Sequence, residues 1–573
     1  MKHLIPYFKK YKLQSILAPL FKMLEACFDL AVPLIVASII DNGIASGDKN
    51  FIISRFFLLL LMALLGLLSS FTAQFFAAKA AIGTSVGLRH ELMKKINSLS
   101  FTELDKTGKS TLITRMTGDI NQVQNGVNMF LRLFMRSPFI VFGAAILAFT
   151  VDSQLALIFV GIIIVLFIIV FGIMRITKPL HKNVQQKLDT VTDKTTEALA
   201  GVRVIRAFSR EKAQQQDFVN ANNFLLSAQL KAGKISALLN PLTFVTVNSA
   251  VILVLYFGAQ KADNGLIFSG DIVALINYIG QILIELVKLA NLITLIARSI
   301  ASMERVGQLL DTESSMTYGD AENGADERTA VTFKNVSFTY EGASAPCLND
   351  ISFTVNKGET VGIIGGTGSG KTTLAHLIMR FYDATEGEIH LKGTAIKQWK
   401  KSSLNKTVTI VPQKAHLFSG TVKSNLLWGN PDATEEKMWS VLSASQAGDF
   451  IKENAEGLEA RIEEGGKNLS GGQRQRLTIA RALISDADIL IFDDSSSALD
   501  FATEAALRKS LKALHGEKTV FIISQRTSSI AHADKILVLD DGALVGIGNH
   551  IKLLESCEIY REIHDSQFKK EVQ

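Results

Sequence analysis

This chain predicts a membrane α-helical domain of six spans with long cytoplasmic helix extensions, fused to a cytosolic α/β P-loop domain with a helical subdomain. Three observations lead there. Hydrophobic residues make up 48% of 573, and mean hydropathy is +0.25, high for a wholly soluble protein. The apolar runs long enough to cross a bilayer all lie before about residue 305, and the C-terminal remainder has ordinary globular composition. Residues 365–373 read GGTGSGKTT, a phosphate-binding pattern set between an apolar strand and a helix.

The N-terminal segment Lys2–Lys12 carries Lys9, Lys10 and Lys12 just ahead of the first apolar run and shows no cleavable signal, which holds that end inside. Spans are expected at roughly 14–40, 53–82, 131–151, 155–175, 241–260 and 269–297. The connections around 41–52, 152–154 and 261–270 are short and poor in Lys and Arg. The alternate ones hold Arg89, Lys94, Lys95, Lys106, Lys109 and Arg115, then Lys178, Lys182, Lys187, Arg203, Arg206, Arg210 and Lys212. That asymmetry predicts a multi-pass protein of the cytoplasmic membrane with both termini inside. The two basic connections run to about 50 and 65 residues, too long for structureless loops. Leu88, Leu92, Ile96 and Leu99, and Leu188, Val191, Thr195, Ala198 and Val202, recur at helical spacing, so the spans are expected to run on into the cytosol.

Polar residues inside spans are costly and face protein or a water-filled cavity. In the sixth span Asn277, Gln281, Glu285, Lys288 and Asn291 share one face. In the first span Lys22, Glu25 and Asp29 do the same. Glu25 can pair with Lys22, and Glu285 with Lys288. Two roles stay open for Glu25, Asp29, Asn277, Gln281, Glu285 and Lys288: lining a small-molecule substrate path, or knitting helices or subunits together.

Residues 311–330 (DTESSMTYGDAENGADERTA) are acidic and lack apolar period, which marks a linker between a transmembrane domain, 1–310, and a cytosolic domain, 331–573. Within the latter, Gly365, Gly366, Gly368 and Gly370, with Thr367 and Ser369 between them, let successive backbone N–H groups point at phosphate oxygens. Lys371 places a charge on the β- and γ-phosphates. The Thr372 hydroxyl can ligate Mg²⁺, and Thr373 continues into the helix. Ile489–Asp493 (ILIFD) reads as a buried strand that delivers Asp493 to the Mg²⁺ shell. Leu469, Ser470, Gly471, Gly472 and Gln473 form a second glycine-rich turn ahead of a helix, another anion-binding start. The three cysteines have no metal-like spacing. A net charge of +6 without a basic, aromatic-interleaved patch argues against nucleic acid.

An LSGGQ between a P-loop and such an aspartate resembles the ATP-binding cassette (ABC) family, and the resemblance covers essentially the whole chain. It implies ATP and Mg²⁺ as cofactors, and two cassettes closing head to tail so that ATP lies between one P-loop and the other's LSGGQ. Tyr340, in VSFTY, then resembles the aromatic that stacks on adenine. Gln413, in VPQ, resembles the glutamine that senses Mg²⁺ and the attacking water. Asp500, in SALD, matches the loop that communicates across the dimer. The exporter type of the family carries short coupling helices at the tips of its cytosolic extensions. Here Ile113–Val123 and Ala207–Gln215 are the expected positions.

Two positions depart from the family. Asp494 stands where a glutamate usually comes after the Mg²⁺ aspartate. Its shorter side chain places the carboxylate about 1 Å short, which can cost on the order of 100-fold in rate. Gln525, in IISQR, stands where a histidine usually meets the γ-phosphate, and it cannot supply that positive charge. With LSGGQ intact, the pattern resembles heterodimeric ABC exporters in which one of two ATP sites is degenerate. The chain is then expected to pair with a second half-transporter that has the usual glutamate and histidine and an altered LSGGQ, and to move lipophilic or drug-like compounds outward. Export of lipid or peptide, import of a metal chelate on the same architecture, and an ATP-gated channel or regulatory subunit are the alternatives. A soluble ATPase is excluded by the six spans.

Overall fold

In the computed structural model, which describes residues 2–568, the chain divides into two compact units. The first comprises the residues up to Asn97 together with Lys109–Thr312. Among the described residues it holds six helices long and apolar enough to cross a membrane: Lys12–Ile44, Lys49–Ser98, Lys109–Val151, Ser153–Ala200, Glu211–Asp263 and Ser269–Asp311. Each contains one of the expected spans. The second helix, at 50 residues, extends about 75 Å, far beyond an apolar layer of about 30 Å, so the cytosolic extensions are present.

Local chemistry sets the corners. Asp152 ends one helix and caps the next, its carboxylate accepting from Gln154 N at 3.0 Å and Leu155 N at 2.8 Å. The fifth span is interrupted at Leu238, between Glu211–Ala237 and Leu239–Asp263. Small residues face inward: Ala73, Ala77 and Ala80 are buried on the second span, while Phe71 and Phe75 point outward. That inversion suits a lipid-facing helix, where close backbone approach rather than the hydrophobic effect drives packing.

The second unit comprises Ser98–Gly108 and the residues from Glu313 onward. Its main sheet runs, edge to edge, Ala543–Gly548, Lys535–Asp540, Thr360–Gly365, Thr519–Ile523, Ile489–Asp493 and Val408–Val411. All neighbours are parallel except the Ala543–Gly548 edge. The inner strands are apolar on both faces because helices cover both. A four-stranded antiparallel sheet is built on Thr329–Phe338 and Leu348–Asn356. The helical subdomain has its own core, in which Leu426, Met438, Leu442 and Leu477 are buried. The stretch read as a linker lies along the antiparallel sheet region, with Ala321 N donating to Gln398 O at 3.0 Å and Asp326 N to Lys392 O at 2.8 Å.

The short cytosolic helices differ from expectation. The segment that belongs to the cassette unit is Phe101–Thr107, upstream of Ile113–Val123. Ser100 and Glu103 form a capping box that starts it, and Gly108, at φ 76°, ends it. Ile113–Val123 instead lies inside the continuous third span, across a π-helical turn at Arg115–Asp119. Ala207–Gln215 covers the end of a short helix, Val202–Ala207, a turn with Ser209 at φ 51°, and the start of the fifth span.

Candidate functional site

Strand Thr360–Gly365 delivers the P-loop at its C-terminal end, between two parallel neighbours. This is where open α/β sheets bind ligands. Gly365 cannot carry a side chain, since a Cβ would lie 2.0 Å from Leu539 O. Gly370 takes φ 92° as the helix Lys371–Ile378 begins. The Lys371 ammonium arches back over the loop, bonding Gly366 O at 2.6 Å, Gly365 O at 3.1 Å and Ser369 Oγ at 3.3 Å.

Across from it, Thr372 Oγ1 donates to Asp493 Oδ1 at 3.2 Å. The two oxygens forecast for Mg²⁺ thus converge, and hard oxygen donors of this kind suit that ion. Lys371, Thr372, Gln413, Asp493, Asp494 and Gln525 all line one cleft of about 160 Å³. Gln413 Nε2 reaches Asp494 Oδ2 at 3.5 Å. Burial pushes the Asp493 and Asp494 carboxyls up and the Lys371 ammonium down, so the two carboxylates favour a cation beside them and the ammonium favours an anion such as phosphate. Asp494 sits in the left-handed region at φ 44°, which aspartate tolerates better than most residues. Its N–H donates to Ile523 O at 3.0 Å, and its carbonyl accepts Ser497 Oγ at 2.9 Å. The short side chain is therefore held on a fixed backbone.

Tyr340 is half-buried. Its hydroxyl lies 3.1 Å from Thr373 Oγ1, and its ring meets Tyr382 edge-on at 5.3 Å. Tyr382 was not singled out in the sequence. Its hydroxyl donates to Asp105 Oδ2 at 2.5 Å, and Phe101 packs on the neighbouring Phe381 at 4.5 Å. Lys106 and Glu341 close the same face with an ion pair at 2.7 Å.

The other motif residues stand apart from the cleft. None of Leu469, Ser470, Gly471, Gly472 and Gln473 lines it. Ser470 caps the helix Gly471–Leu483, accepting from Gln473 N at 3.2 Å, while Gln473 Oε1 accepts from Ser470 N at 2.9 Å. Asp500 caps Phe501–Lys512 through Thr503 N at 2.9 Å and Thr503 Oγ1 at 2.8 Å.

In the membrane unit a missed residue, Arg136, organises the polar face. Its guanidinium bonds Glu285 Oε1 at 2.6 Å and Asp29 Oδ2 at 2.8 Å, with Glu25 3.9 Å away. Ser137 Oγ donates to Glu285 at 2.7 Å, Lys288 to Glu285 at 2.8 Å, and Lys22 to Glu25 at 2.5 Å. Both forecast local pairs are present. Gln281 donates to Asp29 O at 3.2 Å, whereas Asn277 donates to Val273 O of its own helix at 2.8 Å. Glu285 is 3% exposed, so its part of the face points into the seam between the first, third and sixth spans.

Comparison with known proteins agrees with both halves. Residues 15–286 match the family described as ABC transporter transmembrane region, and residues 348–497 match ABC transporter. An uncharacterized ABC transporter ATP-binding protein of Mycobacterium tuberculosis is 34% identical over 573 residues, covering 99% of this chain and 97% of the relative. An ATP-dependent lipid A-core flippase of Aliivibrio fischeri is 29% identical over 568 residues, covering 99% and 97%. A solved bacterial Atm1-family ABC exporter with ATP bound superposes with a TM-score of 0.80, at 24% identity and 99% coverage of each chain.

Proposed function

The chain belongs to the ABC transporter family, as a half-transporter of the exporter fold, and on that premise we propose that it is one subunit of a heterodimeric, ATP-driven exporter. Membership implies ATP hydrolysis coupled to movement of a substrate across the membrane. The observation that carries the finer reading is one cleft in which an intact P-loop faces Asp494 and Gln525.

Lys371 and the Gly366–Gly370 backbone hold the phosphates. Thr372, Asp493 and Gln413 would hold Mg²⁺, which would supply positive charge to the phosphates. Tyr340 stacks on adenine. Asp494 orients water weakly because its carboxylate is short and its backbone fixed. Gln525 hydrogen-bonds the γ-phosphate without stabilising the charge that develops there. ATP is thus held and slowly turned over at this P-loop. Leu469–Gln473 and Asp500, away from the chain's own cleft, complete the site of the partner half-transporter. The expected substrate is a lipophilic or drug-like compound leaving the cytoplasmic membrane, with both termini inside. A lipid is the second reading, favoured by similarity along the full chain to a lipid A-core flippase.

Among the polar span residues, Glu285 and Glu25 are read as seam residues, since Arg136, Lys288 and Lys22 neutralise them. Asp29 and Lys288, at 45% and 42% side-chain exposure, are the ones left to meet a substrate, with Asn277 and Gln281 beside them.

Steady-state ATPase of the chain alone in lipid, with ATP binding measured in parallel, tests the proposal. Binding with little turnover, and turnover restored by a second half-transporter that has glutamate and histidine at these positions, supports it. Robust turnover alone, abolished by Lys371→Ala, makes the chain a self-sufficient homodimer.

A further inference from the structure

The residue after Asp500 and the residue after Gln525 touch. The Arg526 guanidinium lies over the Phe501 ring at 5.3 Å, and its Nη1 donates to Glu504 Oε2 at 3.3 Å. Glu504 is buried at 5% exposure, on the helix that Asp500 caps, and its N–H bonds Asp500 O at 2.9 Å. Its other oxygen accepts Ser529 Oγ at 2.5 Å and Arg508 at 3.4 Å. A buried carboxylate therefore receives donors from both sides: Arg508 from its own helix, Arg526 and Ser529 from the loop that carries Gln525.

That loop is gripped from the far side as well. The Gln567 amide, on the helix Glu558–Phe568, donates to Gln525 O at 2.7 Å and accepts from Thr527 N at 2.9 Å and Thr527 Oγ1 at 3.0 Å. Thr527 is fully buried. Its amide and hydroxyl thus both have the Gln567 side chain as partner, which ties Gln525–Thr527 to the helix Glu558–Phe568.

We propose that Glu504 is a positioning residue that joins the Asp500 loop to the Gln525 loop, so that the seating of Asp500 at the dimer seam sets where Gln525 stands over the nucleotide. The two ATP sites of the assembly are then coupled through this chain by one buried carboxylate. The inference rests on the proposed roles of Asp500 and Gln525. A linkage of this kind works because a packed, charge-assisted contact transmits displacement, whereas two solvated loops would move independently.

The test is ATP hydrolysis against ATP concentration, using the full-length chain in lipid with the partner it assembles with. Arg526→Met is the first variant. Arg526 has 42% side-chain exposure, and its loss leaves Glu504 bonded to Arg508 and Ser529, so folding survives. Glu504→Gln is the second, and Gln525→Ala runs beside them. Both linkage variants are expected to bring the Hill coefficient down toward one and to shift half-saturating ATP about fivefold or more, with the melting temperature of Arg526→Met unchanged. If Gln525→Ala alters turnover while both linkage variants keep the original cooperativity, the linkage is wrong and the site reading stands. If Gln525→Ala changes nothing, the site reading falls and takes the linkage with it. An unaltered protein whose Hill coefficient is already one also overturns the inference.

Discussion

The phenol of Tyr382 donates a 2.5 Å hydrogen bond to the carboxylate of Asp105, while its ring edge rests on Tyr340, the aromatic proposed for adenine. Burial and the Asp105 carboxylate both push the Tyr382 hydroxyl above its ordinary pKa, so it stays a donor at any physiological pH. The short helix Phe101–Thr107 is thereby tied to the nucleotide side of the cassette by one charge-assisted bond and the Phe101–Phe381 contact.

Tyr382→Phe keeps the ring and removes the bond. Transport per ATP hydrolysed should fall roughly threefold to tenfold, with ATP affinity unchanged, because a hydrogen bond to a charged group is worth about 1.5–3 kcal/mol before solvent screening. Transport and ATPase measured on the same vesicles decide it. An unchanged ratio would mean that the ring contacts alone hold the helix.

Restoring the usual chemistry should restore turnover. Asp494→Glu with Gln525→His is expected to raise hydrolysis at this chain's own P-loop about 100-fold, and each single change to give less. The left-handed backbone at Asp494 sets a limit, since glutamate tolerates φ 44° less well than aspartate. Single-turnover hydrolysis by the chain alone reads the gain.

Asp494 also makes a stability prediction. Its folded-state pKa is raised by burial, so the folded chain binds that proton more tightly than the unfolded chain. The ionised carboxylate therefore costs stability at neutral pH, and the cost shrinks as pH falls toward the raised pKa. Asp494→Asn should raise the cassette melting temperature at pH 7 by on the order of a degree or two, and the gap from the unaltered protein should narrow in acid. Calorimetry at two pH values checks the sign.

Glu285 is expected to matter for assembly rather than for substrate choice. Removing one partner of a buried charge network costs about 3–5 kcal/mol, and Glu285→Ala would leave the Arg136 guanidinium, 11% exposed, with Asp29 as its close partner. Yield of assembled transporter should drop sharply, while transport per assembled molecule keeps its substrate profile. A changed profile with normal assembly would place Glu285 on the path instead.

The nucleotide motifs were legible because each is a short, local pattern whose residue types have one dominant use, and the strand or helix around each is visible in the apolar period. The six spans were legible for the same reason. Arg136 was not, because it opens an apolar run and its partners lie 107 and 149 positions away. Phe101–Thr107 was passed over although its signals are in the sequence: Ser100 and Glu103 spell a capping box, and Gly108 spells a stop. The left-handed backbone at Asp494 leaves no mark in composition or period. It is set by where the strand Ile489–Asp493 must end against Ile523.

The grouping of Ser98–Gly108 with the residues from Glu313 onward bears on how such chains recombine. A crossover at the acidic stretch would bring in a foreign cassette while leaving behind the resident Phe101, Asp105 and Lys106. The newcomer's counterparts of Phe381, Tyr382 and Glu341 would then face a helix they did not evolve with. Viable chimaeras should therefore need two exchanged pieces, the short insert and the C-terminal block, inherited together like a key with its lock.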